Sequence, residues 1–272
     1  MSEVSARPSE IFRADLLAGK VVVITGGGTG IGRSITEECL ALGAKVAIGA
    51  RKVDRLEAAA QEMRDATGGE VFAHALNIRD PESVEAFVAA TEEALGPIDT
   101  LVNNAGGQFP APAEMIPPKG WRAVIDTNLN GTWYMCQAVG QRMIDRGTGG
   151  HMVQIVANMW RGFPGMAHTG AARAGVVNLT KTLALEWAKH QIQVNAVAPG
   201  VIQSSGLDTY DDAVKEALFA DLPKHVPLKR LGVVEDVAWS VVYLISPAGR
   251  FITGETICVD GGQAHWGTVF EV

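Results

Sequence analysis

Seven short apolar runs alternate with stretches of helical composition, and this alternation constrains the fold more than any other feature of the chain. The runs are VVVIT (21–25), KVAIGA (45–50), VFAHALNI, IDTLVNNAG, HMVQIVAN, IQVNAVAPG and FITGETICVDGG. Strands that are apolar throughout and are followed by helices are typical of a parallel sheet that helices cover on both faces. We therefore predict an α/β fold of the Rossmann type, with a doubly wound parallel sheet.

A chain of 272 residues without internal repeats or low-complexity linkers favours a single domain. We expect residues 1–15 to form a flexible N-terminal arm and residues 16–272 to form one dinucleotide-binding catalytic domain. Residues 203–230 have no strand character, which predicts an insertion that covers the substrate at the carboxyl ends of the strands.

The overall charge and the cysteine pattern exclude several classes of protein. A net charge of −7 and a pI near 5.4 argue against nucleic acid and acidic lipid as partners. The three cysteines have neither zinc-site spacing nor the pattern of a disulfide framework, so we predict no metal site. No apolar run reaches the length of a signal-peptide core or a membrane span, and we expect a cytoplasmic protein.

The segment TGGGTGIGR (25–33) follows the first strand and opens a helix. Small residues in such a turn let backbone amides and the helix N-terminus approach a pyrophosphate, which indicates a dinucleotide site. The residues that we assign to this site are Gly26, Thr29, Gly30, Ile31, Gly32 and Arg33.

The end of the second strand indicates which dinucleotide binds. An acidic residue at this position would bind the ribose 2′-hydroxyl of NAD, but the chain has Arg51 and Lys52 there. Guanidinium groups suit a 2′-phosphate, and Arg33 follows the glycines. We therefore predict NADP(H) as the cofactor, although Arg51 and Lys52 could also belong to a solvated loop.

Five motifs together resemble the short-chain dehydrogenase/reductase family. They are TGGGTGIG, LVNNAG (101–106), TNLNGT (127–132), VNAVAPG (194–200) and VDGG (259–262), and the resemblance covers residues 15–262. It implies a single-domain Rossmann fold, a homotetramer or homodimer, and hydride transfer to or from a nicotinamide.

The resemblance also implies roles for individual residues. Asn128 matches the family's active-site asparagine, which holds a backbone bend and a water. Further cofactor contacts are implied for Asn77, Ile78, Asn103, Ala105, Gly106, Pro199, Gly200 and Val201.

The family's usual Ser, Tyr and Lys are all replaced. Alignment with the family places Ala157 in the serine position, Thr169 in the tyrosine position and Arg173 in the lysine position. A second alignment, in which Val177 and Lys181 stand for Tyr and Lys, moves the acid about 6 Å along the helix, past the nicotinamide. We therefore expect Val177 to be a packing residue.

Within the family, the segments NNAGGQFPAPAEMIPPKGW and GFPGMAHTGAARAGVVNLTKTLALEW resemble peroxisomal trans-2-enoyl-CoA reductases and their bacterial relatives. Reduction of an α,β-unsaturated thioester places negative charge on the thioester oxygen, which needs hydrogen-bond donors more than a strong acid. Thr169 and Arg173 share a helix face. We expect Thr169 to donate to the thioester oxygen and Arg173, in the lysine position, to bind the nicotinamide ribose of the cofactor. His168 is a candidate proton donor. Substrate contacts are expected from Gln108, Asn158 and Trp160.

We therefore expect NADPH-dependent reduction of the C=C bond of a 2-enoyl thioester. The same segments also resemble bacterial dehydrogenases of acyclic terpenoid degradation, so a short-chain alcohol dehydrogenase or ketoreductase is a second hypothesis. A third is a catalytically weak NADP-binding structural or regulatory subunit, because the whole triad is changed.

Overall fold

The computed structural model describes residues 12–204 and 221–265. Most of the predicted arm, and residues 205–220 of the predicted insertion, lie outside these ranges. Phe12 already packs against the core, within the stretch predicted as an arm. In the described part of the chain, no helix is both long and apolar enough to span a bilayer.

The predicted parallel sheet is confirmed. Its strands are β1 (Val21–Thr25), β2 (Lys45–Ala50), β3 (Val71–Ala75), β4 (Thr100–Asn103), β5 (Gly150–Ile155), β6 (Ile192–Pro199) and β9 (Thr256–Val259). A separate short pair consists of β7 (Ile202–Gln203) and β8 (Gly232–Val233). The seven-stranded sheet has the order β3-β2-β1-β4-β5-β6-β9, and every neighbouring pair is parallel.

Helices cover both faces of this sheet and bury two large apolar clusters against it. They are α1 (Gly30–Ala41), α2 (Val53–Thr67), α3 (Pro81–Leu95), α4 (Pro118–Ile125), α5 (Gly131–Arg146), α6 (Ala167–Trp187) and α7 (Val234–Ile245). Local sequence sets several of their ends. For example, the Asp80 side chain accepts the N–H of Glu82 at the start of α3, and Gly68 ends α2 at φ 68°.

Two features of this fold position the candidate site. β1 and β4 are neighbours although β2 and β3 separate them along the chain, so the strand order reverses between them. In open parallel sheets, ligands bind outside the carboxyl ends of the strands at such a point. The second feature is a π-helical turn, Asp126–Asn130, between α4 and α5, because such turns occur frequently at functional sites.

Candidate active site

A cleft of about 540 Å³ opens at the carboxyl ends of β1, β2 and β4. Asn104 ties two of these strand ends together. Its Nδ2 donates to the carbonyl oxygen of Thr25 at 3.0 Å, and its N–H donates to the Thr25 hydroxyl at 3.0 Å. The described lining residues include two arginines and no carboxylate: Gly26, Thr29, Gly30, Gly49, Ala50, Arg51, Leu76, Asn77, Ile78, Arg79, Asn104, Ala105, Gly106, Gly107 and Thr127.

The glycine-rich turn at one side of the cleft fits a pyrophosphate. A Cβ on Gly32 would lie 2.3 Å from the carbonyl oxygen of Gly26, so only glycine allows this close turn. Gly30 begins α1 with φ +53°. The preceding N-cap, Thr29, makes no side-chain capping bond, which leaves the first amide groups of α1 free for an anion. Ile31 lies in this same first turn, half-buried.

The predicted phosphate-binding cations differ in their surroundings. Arg51 is exposed and lines the cleft. Lys52 is exposed at the N-cap of α2 and is absent from the lining. Arg33 instead contacts Glu37 at 2.7 Å and Glu62 at 2.6 Å, and these hydrogen bonds raise the pKa of its guanidinium. Arg33 is therefore already neutralised by two carboxylates.

The two asparagines of the NNAG motif face opposite directions. The Asn103 side chain is buried and donates to Gln154 Oε1 at 2.8 Å and to Cys136 Sγ at 3.3 Å, so it is not available to a ligand in the cleft. Asn104 lines the cleft instead, together with Ala105 and Gly106.

Arg173 lies near one end of the cleft, on α6. Its Nη1 donates to the carbonyl oxygen of Ile155 at 2.9 Å, and a Cβ on Gly106 would lie 2.4 Å from its Nη2. The side chain is 8% exposed, and no described carboxylate forms an ion pair with it. Desolvation lowers the pKa of its guanidinium to about 10. The group is thus a buried cation that keeps several N–H donors for a ligand.

His168 and Thr169 lie one turn before Arg173, in the first turn of α6, and both are fully buried. The N–H of Thr169 donates to His168 Nδ1 at 2.8 Å, and the Thr169 hydroxyl lies 3.3 Å from the same nitrogen. The His168 ring packs against Phe109 with 4.5 Å between ring centroids. Val177, further along α6, is buried in an apolar cluster, as expected for a packing residue.

Asn128 lies in the π-helical turn and holds the backbone of the cleft loop. Its Nδ2 donates to the carbonyl oxygen of Gly107 at 2.8 Å, and its Oδ1 accepts the N–H of Gly107 at 3.0 Å. The same oxygen would lie 2.8 Å from a Cβ on Gly106. Asn128 therefore connects the π-helical turn to the loop against which Arg173 packs.

A second cleft, of about 410 Å³, includes Asn158, Pro199, Gly200 and Val201 in its lining. Asn158 Nδ2 donates to Asp260 Oδ2 at 2.9 Å, which leaves its amide oxygen available. Trp160 is 43% exposed, and its Nε1 contacts Cys258 Sγ at 3.0 Å. Gln108 is exposed between Gly107 and Phe109.

Sequence reasoning missed three residues that the fold brings to this region. Asn104 lies beside Asn103 in one motif, and only the strand's alternation decides which of them faces the cleft. Arg79 could have been found because it directly follows Asn77 and Ile78, in the segment after β3. Phe109 gave no signal, because its contact with His168 joins a loop to α6, which follows much later in the chain.

Comparisons with known proteins agree with this architecture. The sequence matches the family described as enoyl-(acyl carrier protein) reductase over residues 26–264. A probable 2,4-dienoyl-CoA reductase of Bacillus subtilis is 36% identical over 90% of this chain and 96% of its own length. A peroxisomal 2,4-dienoyl-CoA reductase of Rattus norvegicus is 35% identical over 93% of this chain and 86% of its own.

Among solved structures, a citronellol catabolism dehydrogenase (AtuB) of Pseudomonas aeruginosa is 43% identical and superposes with a TM-score of 0.83. The match covers 94% of this chain and 99% of that one. A short-chain dehydrogenase of Bacillus anthracis is 37% identical over 93% and 99% of the two chains, with a TM-score of 0.84. The chain therefore belongs to the short-chain dehydrogenase/reductase family of oxidoreductases.

Proposed function

We propose that the protein is an NADPH-dependent reductase of the C=C bond of a 2-enoyl thioester. The observation that carries this proposal is the pair Thr169 and Arg173, which offers hydrogen-bond donors where the family usually has a tyrosine acid and its lysine. Burial lowers the pKa of Arg173 only to about 10, so its guanidinium binds and orients but does not exchange a proton near neutral pH.

The chemistry of the two candidate reactions favours C=C reduction at such a site. Reduction of a ketone protonates the oxygen next to the carbon that accepts hydride, so it needs a positioned acid. Reduction of a conjugated thioester delivers hydride to Cβ, and negative charge develops on the carbonyl oxygen. Hydrogen-bond donors stabilise this charge, and water can supply the proton that Cα receives.

An oxidoreductase of this family uses a nicotinamide dinucleotide, which supplies or accepts the hydride when it is bound. The charges of the first cleft support the phosphorylated form. Arg51 and Arg79 both line it, and its described lining contains no carboxylate that would repel a 2′-phosphate. Arg33 contributes less than the sequence suggests, because Glu37 and Glu62 already pair with it.

The relatives support two substrate classes. The names of the dienoyl-CoA reductases support a conjugated acyl-CoA thioester. The name of the citronellol catabolism dehydrogenase supports the second candidate, oxidation or reduction of a terpenoid alcohol–carbonyl pair. We rank the thioester first because no described tyrosine stands at the usual acid position, which Thr169 occupies.

The expected homodimer or homotetramer and the cytoplasmic location stay predictions. Phe251 is fully exposed and Leu185 is 81% exposed, and these are apolar surfaces that a second subunit would cover. Light scattering of the purified protein distinguishes an oligomer from a monomer.

Consumption of NADPH with trans-2-hexenoyl-CoA tests the proposed function. We expect kcat/KM for this thioester to exceed that for citronellal or for citronellol with NADP⁺ by at least about tenfold, or about 1.4 kcal/mol. Turnover of citronellal or citronellol but not of the thioester would establish the second candidate. Tight NADPH binding without turnover of any of these compounds would favour the structural subunit.

A further inference from the structure

His168 combines full burial with a ring nitrogen that has no partner. Its side chain is 0% exposed, and within the described part of the chain Nε2 has no hydrogen-bond acceptor. A buried polar group left unpaired costs about 1–3 kcal/mol, so native proteins keep few of them. The packing of α6 does not explain why Nε2 of His168 is buried without a partner, and the family's usual Ser, Tyr and Lys do not explain it either.

The surroundings of the ring determine where its proton lies. Nδ1 accepts the backbone N–H of Thr169 at 2.8 Å, and a nitrogen that accepts a hydrogen bond carries no proton. The neutral ring therefore has its proton on Nε2, on the side away from the helix backbone. His168 is thus arranged as a hydrogen-bond donor with a defined direction.

The His168 ring lies beside the loop that borders the first cleft. Phe109 packs edge-on against it with a 77° angle between the ring planes. Phe109 also packs closely against Gly120, because a Cβ on Gly120 would lie 2.7 Å from the Phe109 ring. Phe109 follows the Gly106–Gly107 segment, which lines the first cleft. The imidazole therefore lies between the start of α6 and the loop that borders the candidate site.

We propose that His168 Nε2 donates a hydrogen bond to the carbonyl oxygen of the substrate, as a neutral electrophile and not as the proton donor that the sequence alone suggests. This inference rests on the proposed function, because it requires a substrate with a carbonyl oxygen. When hydride bonds to Cβ, the C=C π electrons move to form an enolate, whose oxygen Nε2–H stabilises. A proton from water then bonds to Cα, and His168 keeps its own proton throughout.

Two substitutions separate this role from a packing role. His168→Gln keeps a side-chain N–H near the position of Nε2, whereas His168→Leu fills a similar volume without any donor. We expect kcat/KM for trans-2-hexenoyl-CoA to fall about 100-fold in His168→Leu and to stay within about threefold of wild type in His168→Gln. The apolar variant removes an unpaired buried donor, but it also removes the Nδ1 acceptor of the buried Thr169 N–H. These two effects oppose each other, so its Tm should stay close to that of wild type. NADPH affinity should be unchanged in both variants.

A packing role predicts the opposite order, with His168→Leu active and His168→Gln impaired, and that result would overturn the inference. Equal loss in both variants would overturn it as well. An enzyme that turned over citronellal but not the thioester would disprove the proposed function alone, and the same pair of variants would then be compared with citronellal.

The tautomer gives a test that does not depend on turnover. The ¹⁵N chemical shifts of His168 in the NADPH complex at neutral pH should show a protonated Nε2 and an unprotonated Nδ1. Addition of trans-2-hexenoyl-CoA to the NADP⁺ complex should shift Nε2 and leave Nδ1 almost unchanged. A proton on Nδ1 would disprove the assignment, whether or not the enzyme turns over any substrate tested.

Discussion

At the scale of single residues, the cations near the first cleft divide by their partners. Arg33 has two carboxylate partners, Glu37 and Glu62. Arg51 and Arg79 line the cleft, and no described carboxylate lies within ion-pair distance of either. A cation whose charge is already balanced contributes less to binding a phosphate than one that is free, since a carboxylate must first be displaced.

The coenzyme preference should therefore depend on Arg51 and Arg79 and not on Arg33. We expect Arg51→Ala and Arg79→Ala each to lower the ratio of kcat/KM with NADPH to kcat/KM with NADH by about tenfold, or about 1.4 kcal/mol. Arg33→Ala is the matched control and should leave the ratio within about twofold. If the ratio of kcat/KM with NADPH to kcat/KM with NADH fell only in Arg33→Ala, the prediction would be wrong. That result would show that the 2′-phosphate displaces Glu37 and Glu62 from Arg33.

The same residues show what the sequence can and cannot predict. Thr169 and Arg173 could be placed at one helix face because their spacing of four residues determines it. The pairing of Arg33 with Glu62 could not, because Glu62 is 29 residues away and reaches Arg33 only when α2 packs beside α1. Similarly, the burial of Asn103 depends on Gln154, from a strand that follows much later.

At the scale of secondary structure elements, the strands were predictable and the interrupted helix was not. β1 and β2 have the predicted bounds. In each strand apolar residues are consecutive, and a glycine or a charged residue follows directly after the strand. The π-helical turn Asp126–Asn130 cannot be predicted from the pattern of apolar residues, because it changes the helix geometry over only five residues between α4 and α5. Its consequence is nevertheless large, because it presents Asn128 to Gly107.

Removal of the Asn128 side chain should loosen the cleft loop. Asn128→Ala loses both hydrogen bonds to Gly107, each worth about 1 kcal/mol, and frees the segment against which Arg173 packs. We expect kcat/KM to fall at least about tenfold, with a lower Tm.

The control for this prediction is Asn130→Ala in the same π-helical turn. Asn130 makes a local bond to Asp126 at 2.9 Å and contacts no cleft residue through it. Its removal should leave kcat/KM within about twofold of wild type. Equal losses in the two variants would mean that the turn acts through general stability and that Asn128 has no special role.

At the scale of the whole molecule, the sheet separates the site from a second polar cluster. The candidate site occupies the carboxyl ends of the strands, whereas Lys20, Asp99 and His151 meet near the amino ends of β1 and β5. Lys20 Nζ contacts Asp99 Oδ1 at 3.2 Å, and the N–H of His151 donates to the Asp99 carbonyl at 3.0 Å. Changes in this cluster should therefore affect stability and leave the chemistry of the cleft intact.

His151 makes the stability of the fold depend on pH. Desolvation lowers its pKa, and the nearby Lys20 charge lowers it further, while Asp99 and a hydrogen bond with Gln193 oppose the shift. The unfolded chain, with a His pKa of about 6.5, then binds a proton before the folded chain does. The resulting stability is present above pH 6.5 or so and is lost as the pH falls toward the folded pKa.

Thermal unfolding between about pH 7.5 and pH 5 measures this contribution. We expect the Tm of wild type to fall across this range more steeply than that of His151→Gln, whose amide does not titrate. His265→Gln, at an exposed position, is the control and should follow wild type. Asp236 and Glu85, whose pKa values are lowered chiefly by hydrogen bonds from Arg230 and Arg142, lose their contributions only at more acidic pH. If the curves of wild type and His151→Gln ran parallel from neutral pH to pH 5, a group other than His151 would control acid unfolding in this range.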